Sequence, residues 1–319
     1  MKPVERYRGS LLGLAVGDAL GTALEFQPPG SFMPLEDMRG GGPFALAPGE
    51  WTDDTAMALC LADSLISSRG FDRVDQLQRY LRWYRHGYLS SNGRCFDIGN
   101  TVRTALEQFE RTRGPVATFL HSTWVGNGSL MRLAPVPLFY VRRPREAIEK
   151  AGESSRTTHN APEAVDACRY LAGLLVGAVQ GMTKDALLAD HFAPVPGIWR
   201  EVPLTPKIAE IAAGSFKWRN PPNIRGSGYV VAALEAGLWA FYHSISFREG
   251  ALLAVNLGED ADTTAAIYGQ LAGAFYGERG IPESWRSQIA HRQLILSLAE
   301  TLYQLADSTH LENRNEPHE

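Results

Sequence analysis

Cysteine is scarce: three residues, Cys60, Cys95 and Cys168, in a chain of 319. They are far apart, odd in number and form no CxxC pair. That excludes a thiolate zinc site and a disulfide framework, and it fits a reducing compartment. No run of about 18 apolar residues occurs, so no membrane-spanning helix is expected. The short apolar stretch in MKPVERYRGSLLGLAVGDALG is interrupted by Asp18 and carries no cleavage pattern, so the expected location is the cytoplasm. A basic excess is also missing. The 31 Lys and Arg against 35 Asp and Glu leave a formal charge of −4, which argues against a nucleic-acid surface. Strand-like alternation is rare, and no repeat of fixed period argues for a solenoid.

What is present is helical period. Apolar residues recur at helical spacing over 10–24, 55–67, 74–86, 98–111, 144–155, 161–180, 205–217, 229–243, 247–255, 263–276 and 284–305. An all-α fold is therefore expected. No stretch has the composition of an interdomain linker. A single domain over 1–307 with a polar tail over 308–319 follows. Two breaker-rich loops stand out, 27–50 with PPG, GGGP and PGE, and 193–206, APVPGIWREVPLTP.

Two short stretches break the pattern. GEDADTTAAIYGQLAGAFYG, 258–277, gathers Glu259, Asp260 and Asp262 before a helix with almost no charged face. GEWTDDTAMALCLADSLI, 49–66, does the same with Asp53 and Asp54. Asp and Thr make good N-caps, and negative charge suits a helix start. Capping accounts for one or two of these residues. Unpaired carboxylates near an interior cost several kcal/mol each, a cost a bound cation removes. All donors are hard oxygens, which selects Mg²⁺, Mn²⁺ or Ca²⁺ over zinc. Convergence of the two helix starts would place four carboxylates and two hydroxyls around two cations.

TDDTAMAL together with GEDADTTAAIYGQLAGAFYG resembles the ADP-ribosylglycohydrolases, most closely the dinitrogenase-reductase-activating branch. GLAVGDALGTALEF, MRGGGPFALAPGEWTDDTAMAL, GRCFDIGNTVRTAL, GNGSLMRLAPV, SRTTHNAPEAVDACRYLAG and SGYVVAALEAGLWAF resemble family segments in the same order. The resemblance spans about residues 8 to 280. It implies a compact orthogonal bundle of helices with a binuclear metal site in a central cleft. It also implies two Mg²⁺ or Mn²⁺ ions held by Thr52, Asp53, Asp54, Asp260, Asp262 and Thr263.

The resemblance implies further roles. Glu25 and Asp97 become the catalytic carboxylates, and two carboxylates beside an anomeric carbon are the usual apparatus of glycoside hydrolysis. Which of the two acts on the leaving group is left open. Asn100, the Gly126-Asn127-Gly128-Ser129 turn and His159 become substrate-binding residues. The turn would offer backbone N–H groups to a pyrophosphate, helped by a helix starting near Leu130. Tyr229 is a candidate to stack on adenine, with core packing as the rival. Asp18 is read as structural, and Glu259 as facing water. Gly17 and Gly21 are read as packing positions for another helix. The implied reaction removes ADP-ribose from an ADP-ribosylated protein, at the N-glycosidic bond to arginine. Another ADP-ribose linkage, a non-catalytic ADP-ribose reader and a two-metal phosphoesterase are the rivals.

Overall fold

The computed structural model describes residues 1–112 and 125–312. Among them are fifteen α-helices and no β-strand, only two isolated bridges. The helices are α1 Pro3–Gly21, α2 Asp53–Ser67, α3 Arg73–His86, α4 Asn100–Thr112, α5 Pro135–Phe139, α6 Pro144–Ser155 and α7 Pro162–Val179. Three short ones follow, α8 Lys184–Leu187, α9 Ile198–Glu201 and α10 Pro206–Ala212. The last five are α11 Val230–Tyr242, α12 Phe247–Val255, α13 Ala261–Tyr276, α14 Glu283–Arg286 and α15 Arg292–Glu312. One buried apolar cluster runs from Tyr7 to Ala306. No helix of the described residues is long and apolar enough to cross a membrane.

The central pair is α1 against α13. Gly9, Gly13, Gly17 and Gly21 recur every four residues and so share one face of α1. They meet Gly273, Gly269, Ala265 and Asp262 of α13 in reverse order, so the helices run antiparallel with backbones in contact. A Cβ on Gly13 would lie 2.4 Å from the Gly269 carbonyl oxygen, and one on Gly269 would lie 2.0 Å from that of Gly13. This confirms the packing reading of Gly17 and Gly21. It also sets the acidic start of α13 beside the C-terminal end of α1, where a 3₁₀ turn, Thr22–Leu24, leads to Glu25. Both helices are buried nearly all round, which is why neither has a polar face.

The predicted helix over 284–305 is broken. Trp51 donates its indole N–H to the Ala290 carbonyl at 3.1 Å, and Ala290 N–H donates to Gly49 at 2.9 Å. These bonds take the backbone groups a continuous helix would use, and His291 sits at φ +53. The strap they form fixes the loop that leads into α2. The expected helix near Leu130 is absent. Residues 127–133 form consecutive turns, with Leu130 and Met131 N–H both donating to the Asn127 carbonyl, and α5 starts only at Pro135.

Candidate active site

Each acidic helix start is capped in large part from α1 and its extension; of the residues in these starts, Asp262 takes the Thr263 amide at 2.7 Å through Oδ1. Thr52 and Asp260 hold the N-cap positions of α2 and α13, yet neither makes a side-chain cap. Asp18 takes the amides of Thr52 at 2.9 Å and Thr55 at 3.0 Å, and the Thr55 hydroxyl at 2.6 Å. Glu25 takes the amide of Ala261 at 2.9 Å through Oε2. Asp18 lies within α1 and Glu25 follows the 3₁₀ turn beyond its end, so the two reach different helix starts. With most of the orphan N–H groups satisfied this way, the carboxylates of Asp53, Asp54, Asp260 and Asp262 can face each other.

They do converge. Oxygen atoms of Glu25, Asp260 and Asp262 lie within 4.8 Å of one another, a spacing that could hold a metal ion. The Thr52 hydroxyl donates to Asp262 Oδ2 at 3.4 Å, and the Thr263 hydroxyl to Asp54 Oδ1 at 3.2 Å, joining the two helix starts. Thr264 turns away and donates to the Asp260 carbonyl at 2.8 Å. Asn127 donates its amide to Asp260 Oδ2 at 2.7 Å, so this side chain serves the acidic cluster. Glu259 is not a cluster member. It pairs with Arg225 and is half-buried, where the sequence reading had it in water.

The electrostatics are unfavourable without a cation. Burial, then the charge of Asp262, pushes the carboxyls of Asp53 and Asp54 well above the usual range. Burial raises Asp262 to about 7 and Asp18 to about 6. Glu25 is driven far up by burial and by Asp262, and Asp97 to about 11 by burial and by Asp53. Asp54 Oδ2 is buried with no hydrogen-bond partner. An orphaned anionic oxygen amid like charges, in an all-oxygen donor set, fits a hard divalent cation.

A cleft of about 370 Å³ opens over this cluster. Its walls include Glu25, Asp53, Asp97, Asn100, Gly126, Asn127, Gly128, His159, Asp260, Asp262 and Thr263. Thr52 and Asp54 lie behind the wall. Asp97 holds a left-handed backbone, φ +58, in the loop before α4. Strained backbone of this kind is concentrated at functional sites. Ser129 is buried away from the cleft, its hydroxyl 2.8 Å from that of Ser155. The Tyr229 ring is engaged elsewhere: its hydroxyl donates to Glu163 at 2.6 Å, and the Lys207 ammonium sits 5.0 Å from the ring centre. Its backbone pairs with Gly126, so Tyr229 shapes the cleft through the bridge beside the turn.

The structure adds residues that the motifs did not single out. Phe26, beside Glu25, also lines the cleft, is 64% exposed and sits at φ +61, with its N–H donated to the Glu259 carbonyl at 2.7 Å. Its side chain forms a chain of ring contacts with Phe44 and Phe96 at the mouth. The sequence signal was slight, one large apolar residue just before the breaker-rich loop 27–50.

A family model described as ADP-ribosylglycohydrolase matches residues 1–312. The ADP-ribosylarginine hydrolase Tri1 of Pseudomonas putida (strain GB-1) is 47% identical over 304 residues, covering 95% of this chain and 79% of that protein. The ADP-ribosyl-[dinitrogen reductase] glycohydrolase of Rhodospirillum rubrum is 29% identical over 300 residues, covering 89% and 90%. A solved structure described as an ADP-ribosylglycohydrolase-related protein complex superposes with a TM-score of 0.83 at 44% identity, covering 95% of this chain and 99% of that one.

Proposed function

The chain belongs to the ADP-ribosylglycohydrolase family, and from that premise we propose that it is a single-domain cytoplasmic hydrolase releasing ADP-ribose from modified arginine side chains of a protein. The observation that carries this reading is that Glu25, Asp97 and the carboxylates of Asp53, Asp260 and Asp262 line one cleft. The name of the relative at 47% identity supports arginine as the linkage.

Thr52, Asp53, Asp54, Asp260, Asp262 and Thr263 would hold two divalent cations, Mg²⁺ or Mn²⁺. When bound, the cations supply fixed positive charge beside the distal ribose and keep the surrounding carboxylates ionised. The chain's own groups do the rest. Glu25 is anchored through Oε2 by the Ala261 amide, which leaves its other oxygen to orient or take a proton from water at the anomeric carbon. Asp97 lines the same cleft from the loop before α4. Its carboxylate is suited to a guanidinium, which it can meet with two parallel hydrogen bonds. The Gly126–Gly128 backbone and His159 border the part of the cleft assigned to the diphosphate. Holding these parts in register, with charge placed for an oxocarbenium-like transition state, supplies the rate.

Glu25→Gln tests the assignment. Turnover of an ADP-ribosyl-arginine substrate should fall by about 10²–10⁴, the usual range for an acid–base group, with ADP-ribose affinity held within a few-fold. Release of AMP in place of ADP-ribose by the wild type would instead mean a phosphoesterase.

A further inference from the structure

We infer that Arg132, which lies outside the cleft, is a positioning residue that fixes His159 as the Nε2–H tautomer through Thr158, making His159 a hydrogen-bond donor to an oxygen of the bound ligand. The ligand identity rests on the ADP-ribose reading of the cleft. The tautomer does not.

Arg132 is fully buried, and no carboxylate pairs with it among the described residues. Such a cation is expensive unless other groups solvate it. Its guanidinium lies 4.5 Å from the centre of the Tyr80 ring, and NH1 points at Met57 Sδ from 3.8 Å. NH2 donates to the hydroxyls of Thr157 at 3.2 Å and Thr158 at 2.8 Å. The two threonines then differ. Thr157 passes its own hydrogen to the Ser154 carbonyl at 2.7 Å. The remaining neighbour of the Thr158 hydroxyl is His159 Nδ1, at 2.8 Å.

A guanidinium only donates, so Thr158 Oγ1 must accept from Arg132. Its single hydrogen has Nδ1 as its destination. Nδ1 is then an acceptor and the ring proton sits on Nε2. The other tautomer would leave a buried hydroxyl hydrogen without an acceptor, which shifts a population by roughly 10–100-fold. The ring lies against the turn that borders the cleft. Nε2 stands 3.4 Å from where a Cβ on Gly126 would be and 3.2 Å from one on Gly128. Burial, then the charge of Arg132, holds the His159 pKa down to about 3, so the ring stays neutral at working pH. A neutral Nε2–H requires an acceptor opposite it, such as a phosphate or ribose oxygen, and refuses the exocyclic amine of adenine.

The test combines imidazole ¹⁵N spectroscopy with binding. Histidine-labelled wild type, with the His159 signal assigned by its loss in His159→Gln, should show a neutral Nε2–H ring at pH 7 in the free protein. Thr158→Val removes the hydroxyl donor to Nδ1, so it should lower the Nε2–H fraction toward that of an unconstrained imidazole and weaken ADP-ribose binding by about 5–20-fold, while Thr158→Ser should restore both. An Nδ1–H or protonated His159 in the wild type would overturn the inference, even if Thr158→Val failed to fold. Unchanged tautomer and affinity in Thr158→Val would also overturn it. A wild type with the Nε2–H signature that does not bind ADP-ribose would sustain the relay and refute the ligand reading alone.

Discussion

Replacing Asp54 with Asn should make the metal-free protein more stable and the metal-loaded protein less so. Asp54 is 1% exposed, and its Oδ2 has no partner. Asn keeps the size and an acceptor for the Thr263 hydroxyl, so the change removes mainly a charge. The neighbouring Asp262 gives the scale. Its carboxyl rises from 3.8 to about 7, roughly three units, or on the order of 4 kcal/mol between its two protonation states. A raised carboxyl pKa means the folded state binds the proton more tightly than the unfolded state. The stabilisation is therefore full below pH 3.8 and is lost as pH rises through about 7. The metal-free cluster repels more as pH rises, and at alkaline pH, where Asp54 itself ionises above the usual carboxylate range, removing its charge should return about 1–3 kcal/mol. At about 2 °C per kcal/mol for a chain of this size, Tm should rise by about 2–6 °C in chelator. Magnesium or manganese at about 100 times its Kd stabilises the wild type by about 2.7 kcal/mol, or about 5 °C. The variant should gain little. Thermal melts of both proteins in chelator and in excess metal check this. A variant less stable in chelator, or an equal metal-induced gain in both proteins, would refute the argument.

Gly13→Ala should destabilise the fold by more than about 3 kcal/mol in denaturant melts, because the added carbon would stand 2.4 Å from the Gly269 carbonyl oxygen and both backbones belong to the core. Wild type and His159→Gln should separate in Tm as pH falls below about 6.5. The folded pKa, about 3, is below the unfolded value, so the unfolded state takes up the proton first and the wild type loses stability that the variant keeps. Asp97→Asn should remove most activity on arginine-linked ADP-ribose in a linkage panel. Faster wild-type cleavage of serine-linked substrate would sink the guanidinium role while leaving the acidic cluster untouched.

By itself the sequence determined the helices and the chemistry of the donors. Helical apolar spacing placed α6 and α12 at their observed ends, and the four-residue glycine spacing announced that some helix would pack closely on α1, since both signals lie within one or two turns of chain. The hard-oxygen character of TDD and EDADTT was equally local. Tertiary structure alone decided which atoms those residues offer. Caps of α2 and α13 come from Asp18 and Glu25, the latter 236 residues from its amide partner, so neither Thr52 nor Asp260 caps its own helix. The break before α15 depends on Gly49 and Trp51, and the state of His159 on Arg132. Periodicity reports which face of a helix is apolar. A hydrogen bond across the core depends on where two distant helices meet, and that is fixed only when backbones pack as closely as Gly13 and Gly269 do.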